Sequence, residues 1–163
     1  MVKTNINLFA EGEVVYTDGG LLAEFAWVLV VLPFIAALII TFAGKSLPLK
    51  GAEIALGTIG IIFIYSLALM YLHVTEGVAN EFFINVGNIG QFDIEFGWVV
   101  DGLSIMMYFV VGLVALLVFI YATNYMEGEI RYTFFFTSLT LFAGSMLVLV
   151  SSPTLIQILI GWE

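Results

Sequence analysis

Long runs of apolar residues, separated by short polar stretches, dominate the chain. Residues 21–42, 52–74 and 102–122 are each long enough to cross a bilayer as a helix, which takes roughly 20 residues. A fourth run covers 132–151, and a fifth begins at 154 and continues to 163. The pattern therefore predicts an all-α integral membrane protein with four transmembrane helices and the first half of a fifth.

The stretch 75–99 has a different pattern, because apolar residues alternate with polar or small ones in its second half. One face of the predicted strand carries Phe92, Ile94, Phe96 and Trp98. A period of two is typical of a β-strand. Phe82 and Ile84 indicate a partner strand, and residues 87–90 supply turn-forming glycine and asparagine between the two. We expect a β-hairpin on the membrane surface with its apolar face towards the helices; an irregular acidic loop is the alternative.

Local chemistry predicts two further features of the helices. Asp101 precedes the third run and has acceptor oxygens for the free N–H groups of a helix N-terminus, so we expect it to be the N-cap. In the fourth run, small and polar residues fall on one helical stripe: Thr133, Thr137, Thr140 and Gly144. Such a stripe faces another helix or a hydrated interior, and close helix packing is the simpler interpretation.

Composition strengthens the membrane assignment and excludes several functions. Hydrophobic residues make up 62% of the chain and charged residues 10%, against about 45–50% and about 25% in soluble domains. The net charge of −9 argues against nucleic-acid binding. The chain has no cysteine and one histidine, so thiolate zinc sites, iron–sulfur clusters and disulfides are excluded within it. His73 is interpreted as an interfacial residue, and no cofactor or metal site is expected in this chain.

Basic residues predict the orientation of the helices, since the loops on the inner side of a membrane are enriched in them. Lys45 and Lys50 lie in the first loop and Arg131 in the third, whereas the second loop has no basic residue. We therefore expect the N-terminus and the hairpin outside. The segment 1–20 is predicted to be an extramembrane tail rather than a signal peptide, because it carries three acidic residues and one lysine.

Glu163 is the candidate functional residue, because it ends an apolar run where a charge is unfavourable. An ionisable side chain at the bilayer centre costs roughly 2.5–3.5 kcal/mol or more, and it is by default a functional-site hypothesis. A helix that starts at Thr154 from the outer face would bring Glu163 roughly 13–14 Å deep at about 1.5 Å per residue. That depth is near the middle of a hydrocarbon core about 30 Å thick. The alternative, a carboxylate at an exit interface, would require a re-entrant segment.

Several short motifs resemble one membrane-protein family when they are taken together and in order. They are Asp101-Gly102-Leu103-Ser104, Tyr121-Ala122-Thr123-Asn124-Tyr125-Met126, Phe134-Phe135, Ser145-Met146-Leu147 and Gly161-Trp162-Glu163. In this respect the chain is similar to the N-terminal part of the antiporter-like subunit L, or mitochondrial chain 5, of complex I (NADH-quinone oxidoreductase). That family is related to the multisubunit cation/proton antiporters.

The resemblance implies a longer protein with two inverted helical repeats, a proton-translocating function and a role for Glu163. In the family a mid-membrane glutamate pairs with a lysine two helices later, and that lysine is not in this sequence. The implied partners are other antiporter-like subunits, the quinone-site subunits and the lipid bilayer. NADH, FMN, iron–sulfur clusters and quinone would belong to those other subunits. The implied location is a bacterial or archaeal plasma membrane, with thylakoid and mitochondrial inner membranes as alternatives.

Phe119 departs from the family pattern, because many bacterial members have histidine at the matching position. The departure weakens any proton relay at the inner end of the third helix. It leaves open a photosynthetic complex I-like branch, a reduced-deazaflavin dehydrogenase and a multisubunit sodium/proton antiporter. A structural or assembly membrane subunit, with Glu163 as an interhelical hydrogen-bond anchor, is a further alternative.

Overall fold

The computed structural model describes residues 20–77, 79–89 and 92–163, without the side chains of 20, 21, 45, 83–89 and 92–95. The predicted tail therefore lies outside the described residues, apart from its last one. The elements, in chain order, are α1 (Gly20–Glu24), α2 (Trp27–Ala43), a 3₁₀ turn (Gly44–Ser46), α3 (Ala52–Glu76), β1 (Asn80–Ile89), β2 (Phe92–Val100), α4 (Gly102–Tyr125), α5 (Tyr132–Val150) and α6 (Leu155–Trp162).

Within the described residues, three helices are long and apolar enough to cross a membrane: α3, α4 and α5, with 25, 24 and 19 residues. The apolar helix α2 is shorter, with 17 residues. The prediction of an all-α membrane protein with a small hairpin is confirmed, and the chain is an integral membrane protein.

The first predicted helix was wrong in one respect, because it is interrupted at Phe25–Ala26 and divided into α1 and α2. Backbone angles at Ala26 are still helical (φ −59°, ψ −25°). The N–H groups of Ala26, Val28 and Leu29 donate to carbonyl oxygens three residues back, as in a 3₁₀ turn. The apolar pattern continues through this tighter turn, so hydrophobicity alone could not reveal it.

Two helix pairs build most of the packed interior, α3 with α4 and α2 with α5. At Gly144 in α5, a β-carbon would lie 3.2 Å from both Pro33 and Phe34 of α2. The hydroxyls of Thr137 and Thr140 donate to carbonyl oxygens four residues earlier in their own helix. The small-polar stripe thus serves close helix packing, as predicted, and the hydroxyls of Thr137 and Thr140 are satisfied inside α5.

The hairpin is present, with β1 and β2 antiparallel. Phe82 and Trp98 are paired in register and their rings stack with centroids 4.4 Å apart. The turn prediction was wrong by two residues, since Gly87, Asn88 and Ile89 belong to β1 and pair with β2. A register irregularity between Asn85 and Gly87 accommodates an extra residue in β1, which lengthens this strand relative to its partner.

Helix ends follow local capping chemistry. The Asp101 side chain accepts a hydrogen bond from the Ser104 N–H at 2.7 Å, which confirms the predicted N-cap. α3 ends at Glu76, two residues later than predicted, because Gly77 adopts a left-handed conformation (φ 65°) and its N–H donates to the His73 carbonyl. The side chain of Thr154 accepts a hydrogen bond from the Gln157 N–H and begins α6.

Candidate functional site

Helix α6, which carries Glu163 at its C-terminal end, is held to the hairpin through Gln157. The side-chain amide of Gln157 makes two hydrogen bonds with the backbone of Gly97 in β2. The Gly97 N–H donates to Gln157 Oε1 at 3.0 Å, and Gln157 Nε2 donates to the Gly97 carbonyl oxygen at 2.8 Å. Both bonds are buried, so the amide satisfies two peptide groups that would otherwise lack partners.

A hydrogen bond between two backbone groups also joins the hairpin to the connection before α6. The Val99 N–H donates to the Ser151 carbonyl oxygen at 2.9 Å. Gly97 and Val99 are two residues apart on one strand, so their N–H groups point to the same side of β2. Together, these three bonds attach one side of β2 to the C-terminal end of α5 and the first turn of α6. We call this set of bonds the β2–α6 junction.

An apolar cavity of about 210 Å³ lies at the β2–α6 junction. Its lining comes from α2, β2, α5 and α6: Trp27, Val30, Val31, Phe96, Gly97, Trp98, Val148, Ser151 and Gln157. Helix α4 contributes Tyr108 nearby, whose buried hydroxyl lies next to Ser151. No well-aligned hydrogen bond reaches that hydroxyl from the described residues, while the Ser151 hydroxyl donates to the Leu147 carbonyl at 2.8 Å.

Gly161 is a point of close approach between α6 and α5. A β-carbon at Gly161 would lie 2.9 Å from the Leu149 nitrogen and 3.1 Å from its α-carbon. Leu149 is in the last turn of α5. A straight antiparallel return would instead bring residue 161, about 9 Å along α6, beside a turn nearer the middle of α5. Helix α6 therefore crosses the end of α5 obliquely. The predicted mid-membrane depth of Glu163 assumed a straight descent, so this depth stays a prediction.

Glu163 lies on the side of α6 that faces away from the β2–α6 junction. Gln157 and Gly161 are four residues apart, so they share one helix face, and both are buried. Glu163 follows Gly161 by two positions, about 200° around a helix of 3.6 residues per turn. Its side chain is exposed, and its N–H donates to the Leu159 carbonyl oxygen. The described chain thus positions the backbone of Glu163 and leaves its carboxylate uncovered.

His73, interpreted from the sequence as an interfacial residue, belongs to the last turn of α3. Its imidazole packs over the start of α4, because a β-carbon at Gly102 would lie 2.8 Å from His73 Nε2. This position at a helix end agrees with an interfacial histidine.

Sequence reasoning missed Gln157 and Ser151. The sequence did contain a signal for Gln157. A polar amide within an apolar run needs a hydrogen-bond partner, just as the carboxylate of Glu163 needs a reason to be there. Its partner could not be inferred, since Gly97 offers only backbone groups and is separated from Gln157 by 60 residues.

Comparison with known proteins gives a consistent result. Residues 87–136 match the family described as NADH-ubiquinone oxidoreductase (complex I), chain 5 N-terminus. The chain is 35% identical over 150 residues to the NAD(P)H-quinone oxidoreductase chain 5 of Synechocystis sp., covering 88% of this chain and 22% of that protein. It is 34% identical over 147 residues to the chloroplastic NAD(P)H-quinone oxidoreductase subunit 5 of Chlorokybus atmophyticus, covering 86% of this chain and 22% of that protein.

A second cyanobacterial relative, the NAD(P)H-quinone oxidoreductase chain 5 of Picosynechococcus sp., is 35% identical over 87% of this chain and 22% of its own length. The chain thus spans about a fifth of the length of the curated relatives it matches. The family match covers the end of β1, β2, α4 and the start of α5. The match to the Synechocystis relative covers 88% of this chain. The chain is therefore similar in sequence to the N-terminal part of the chain 5 type of complex I membrane subunit.

Proposed function

We propose that this chain is part of a proton-translocating membrane subunit of a complex I-type NAD(P)H:quinone oxidoreductase, and that Glu163 carries the proton. The observation that carries the proposal is the match to chain 5 proteins over nearly the whole chain. Under this proposal the redox steps occur in partner subunits that hold NADH, FMN, iron–sulfur clusters and quinone. This chain contributes to the proton path in the membrane.

The chemistry of a carboxyl group in hydrocarbon fits that role. Low polarity favours the protonated form, whereas a nearby cation favours the ionised form. A lysine that approaches or withdraws would therefore unload or load a proton. In this proposal the partner approaches the side of α6 opposite Gln157 and Gly161, on which Glu163 lies.

The proposal includes an arrangement in the membrane. Residues 1–20 form an extramembrane tail, and 21–163 begin the membrane region of a longer subunit. The N-terminus and the hairpin lie on the outer face, and the loops with Lys50 and Arg131 lie on the inner face. The partners are further antiporter-like subunits and the quinone-site subunits, in a bacterial or archaeal plasma membrane or a thylakoid-type membrane.

The test is Glu163→Gln in the full-length subunit of the assembled complex. The amide keeps the size of the side chain but cannot bind and release a proton near neutral pH. We expect quinone reduction in inverted vesicles to translocate fewer protons per electron, and Glu163→Asp to restore part of the ratio. An unchanged ratio in Glu163→Gln would refute the role of Glu163.

Glu129→Gln is the matched control, because Glu129 is an exposed carboxylate in the loop before α5 and its removal should leave the ratio unchanged. Assembly is checked by the amount of complex recovered from each variant.

The proteins that co-purify with the full-length subunit test the wider proposal. Flavin and iron–sulfur subunits would support it, and cation/proton exchange without them would replace it with a multisubunit antiporter.

A further inference from the structure

Two cations from distant parts of the chain line one cavity at the end of the helix bundle opposite the hairpin. The cavity has a volume of about 390 Å³. Its lining consists of Lys50 and five consecutive residues at the start of α5: Ile130, Arg131, Tyr132, Thr133 and Phe134. Lys50 and Arg131 are the only cations whose side chains the structure describes. We call this cavity the Lys50–Arg131 pocket.

Neither cation is neutralised by the protein within the described residues. No ion pair of Lys50 or Arg131 occurs there, although the sequence has 13 acidic residues against four basic ones. The nearby Glu53 carboxylate is turned to its own loop, where Oε1 accepts a hydrogen bond from the Leu49 N–H at 2.9 Å. Glu53 and Glu127 are close enough to act electrostatically on Tyr132 in the pocket wall, but within the described residues neither carboxylate forms an ion pair with Lys50 or Arg131.

The backbone holds Lys50 at this place in an uncommon conformation. Its φ is +50°, in the left-handed region that glycine adopts more readily. The Thr133 hydroxyl donates to the Lys50 carbonyl oxygen at 3.0 Å and ties this loop to α5. The loop thereby holds the backbone of Lys50 beside the start of α5.

From these observations we propose that the Lys50–Arg131 pocket binds a phosphate group, and that the phosphate belongs to the headgroup of an anionic phospholipid. The pocket lies where spanning helices begin and end, at the level of the lipid headgroups. Lys50 and Arg131 supply charge for the phosphate. Exposed Ile130 and Phe134 supply apolar surface for the glycerol and the upper acyl chain. Basic pockets between transmembrane helices recognise anionic headgroups in this way.

The test measures lipid retention by the complex that contains the full-length subunit. The purified wild type and the double variant Lys50→Gln, Arg131→Gln are exchanged into nanodiscs of phosphatidylcholine with a trace of phosphatidylglycerol, and bound phosphatidylglycerol is counted by native mass spectrometry. We expect at least a tenfold loss of retained phosphatidylglycerol in the double variant. Equal retention by the two proteins would overturn the proposal.

Two further variants separate charge from folding. Lys50→Gly removes the cation but suits the left-handed backbone, so the protein should fold normally and still lose phosphatidylglycerol severalfold. Glu129→Gln changes the net charge nearby without touching the pocket and should retain the lipid. If Lys50→Gly retains it as well as wild type, Lys50 does not bind the headgroup.

Inorganic phosphate distinguishes the two sources of the ligand. Because acyl chains add apolar contacts that inorganic phosphate lacks, the addition of inorganic phosphate at about 10 mM should leave bound phosphatidylglycerol in place. Displacement of the lipid at that concentration would overturn the headgroup assignment in favour of a soluble phosphate compound. None of these outcomes depends on proton translocation by Glu163.

Discussion

Replacing Gln157 by leucine should loosen the hairpin from α6 while leaving the helices intact. Leucine has a similar size and suits an apolar helix, but it can neither donate to the Gly97 carbonyl nor accept from the Gly97 N–H. Both groups would be left buried without a partner, at a cost of roughly 1–3 kcal/mol each, or about 2–6 kcal/mol together.

We expect the lower end of that range, about 2 kcal/mol, because water would reach a hairpin on the membrane surface, as proposed above, and would replace part of the lost bonding. A difference of 2 kcal/mol corresponds to about a 30-fold change in the opening equilibrium, at a factor of ten for each 1.4 kcal/mol. Backbone amide exchange of Gly97 and Val99 in the full-length protein, followed by mass spectrometry, measures that opening directly.

The matched control is Ile156→Ala, which alters an exposed neighbour in the same helix turn and should leave the exchange of both amides unchanged. The reasoning fails if Gln157→Leu leaves exchange at Gly97 and Val99 within twofold of wild type, since the two bonds would then contribute nothing to docking. A general rise in exchange throughout α5 would also refute it, because it would mean a global loss of stability rather than release of the junction.

Two further substitutions test the contacts that position α6 and α4. Gly161→Ala places a β-carbon 2.9 Å from the backbone of Leu149, so we expect a loss of about 1–3 kcal/mol in thermal unfolding and a lower proton-to-electron ratio. Gly57→Ala is its control, because no atom lies within 4 Å of that β-carbon and alanine should be neutral or stabilising there. Asp101→Ala removes the cap on α4 and should cost about 0.5–2 kcal/mol, whereas Asp101→Asn should retain most of the stability; equal melting temperatures for the two variants would contradict the capping role.

Features that depend on neighbouring residues were predictable from the sequence. The helices α3, α4 and α5 follow from apolar runs, the strands from a period of two, and the cap at Asp101 from its place before a helix. The turn of the hairpin was misplaced because glycine and asparagine at 87 and 88 carry a turn signal, whereas an extra residue in β1 moves the end of the strand to Ile89.

Features that depend on distant residues were not predictable. Gln157 and Gly97 are 60 residues apart, and Thr133 and Lys50 are 83 apart. Each contact includes a backbone group, which carries no residue-specific signal in the sequence. Glu163 could be selected as a candidate from its charge alone. The close contact of Gly161 with Leu149 could not be inferred from the sequence, because it depends on how α6 packs on α5.

The β2–α6 junction also determines where the hairpin can grow. An isolated two-stranded sheet has two open edges, and each can accept another strand. In this protein the amide of Gln157 imitates a peptide group beside Gly97, and Ser151 occupies the next bonding position at Val99. The edge of β2 is thereby blocked at Gly97 and Val99, so a neighbouring chain that extends the sheet at this position must pair along β1.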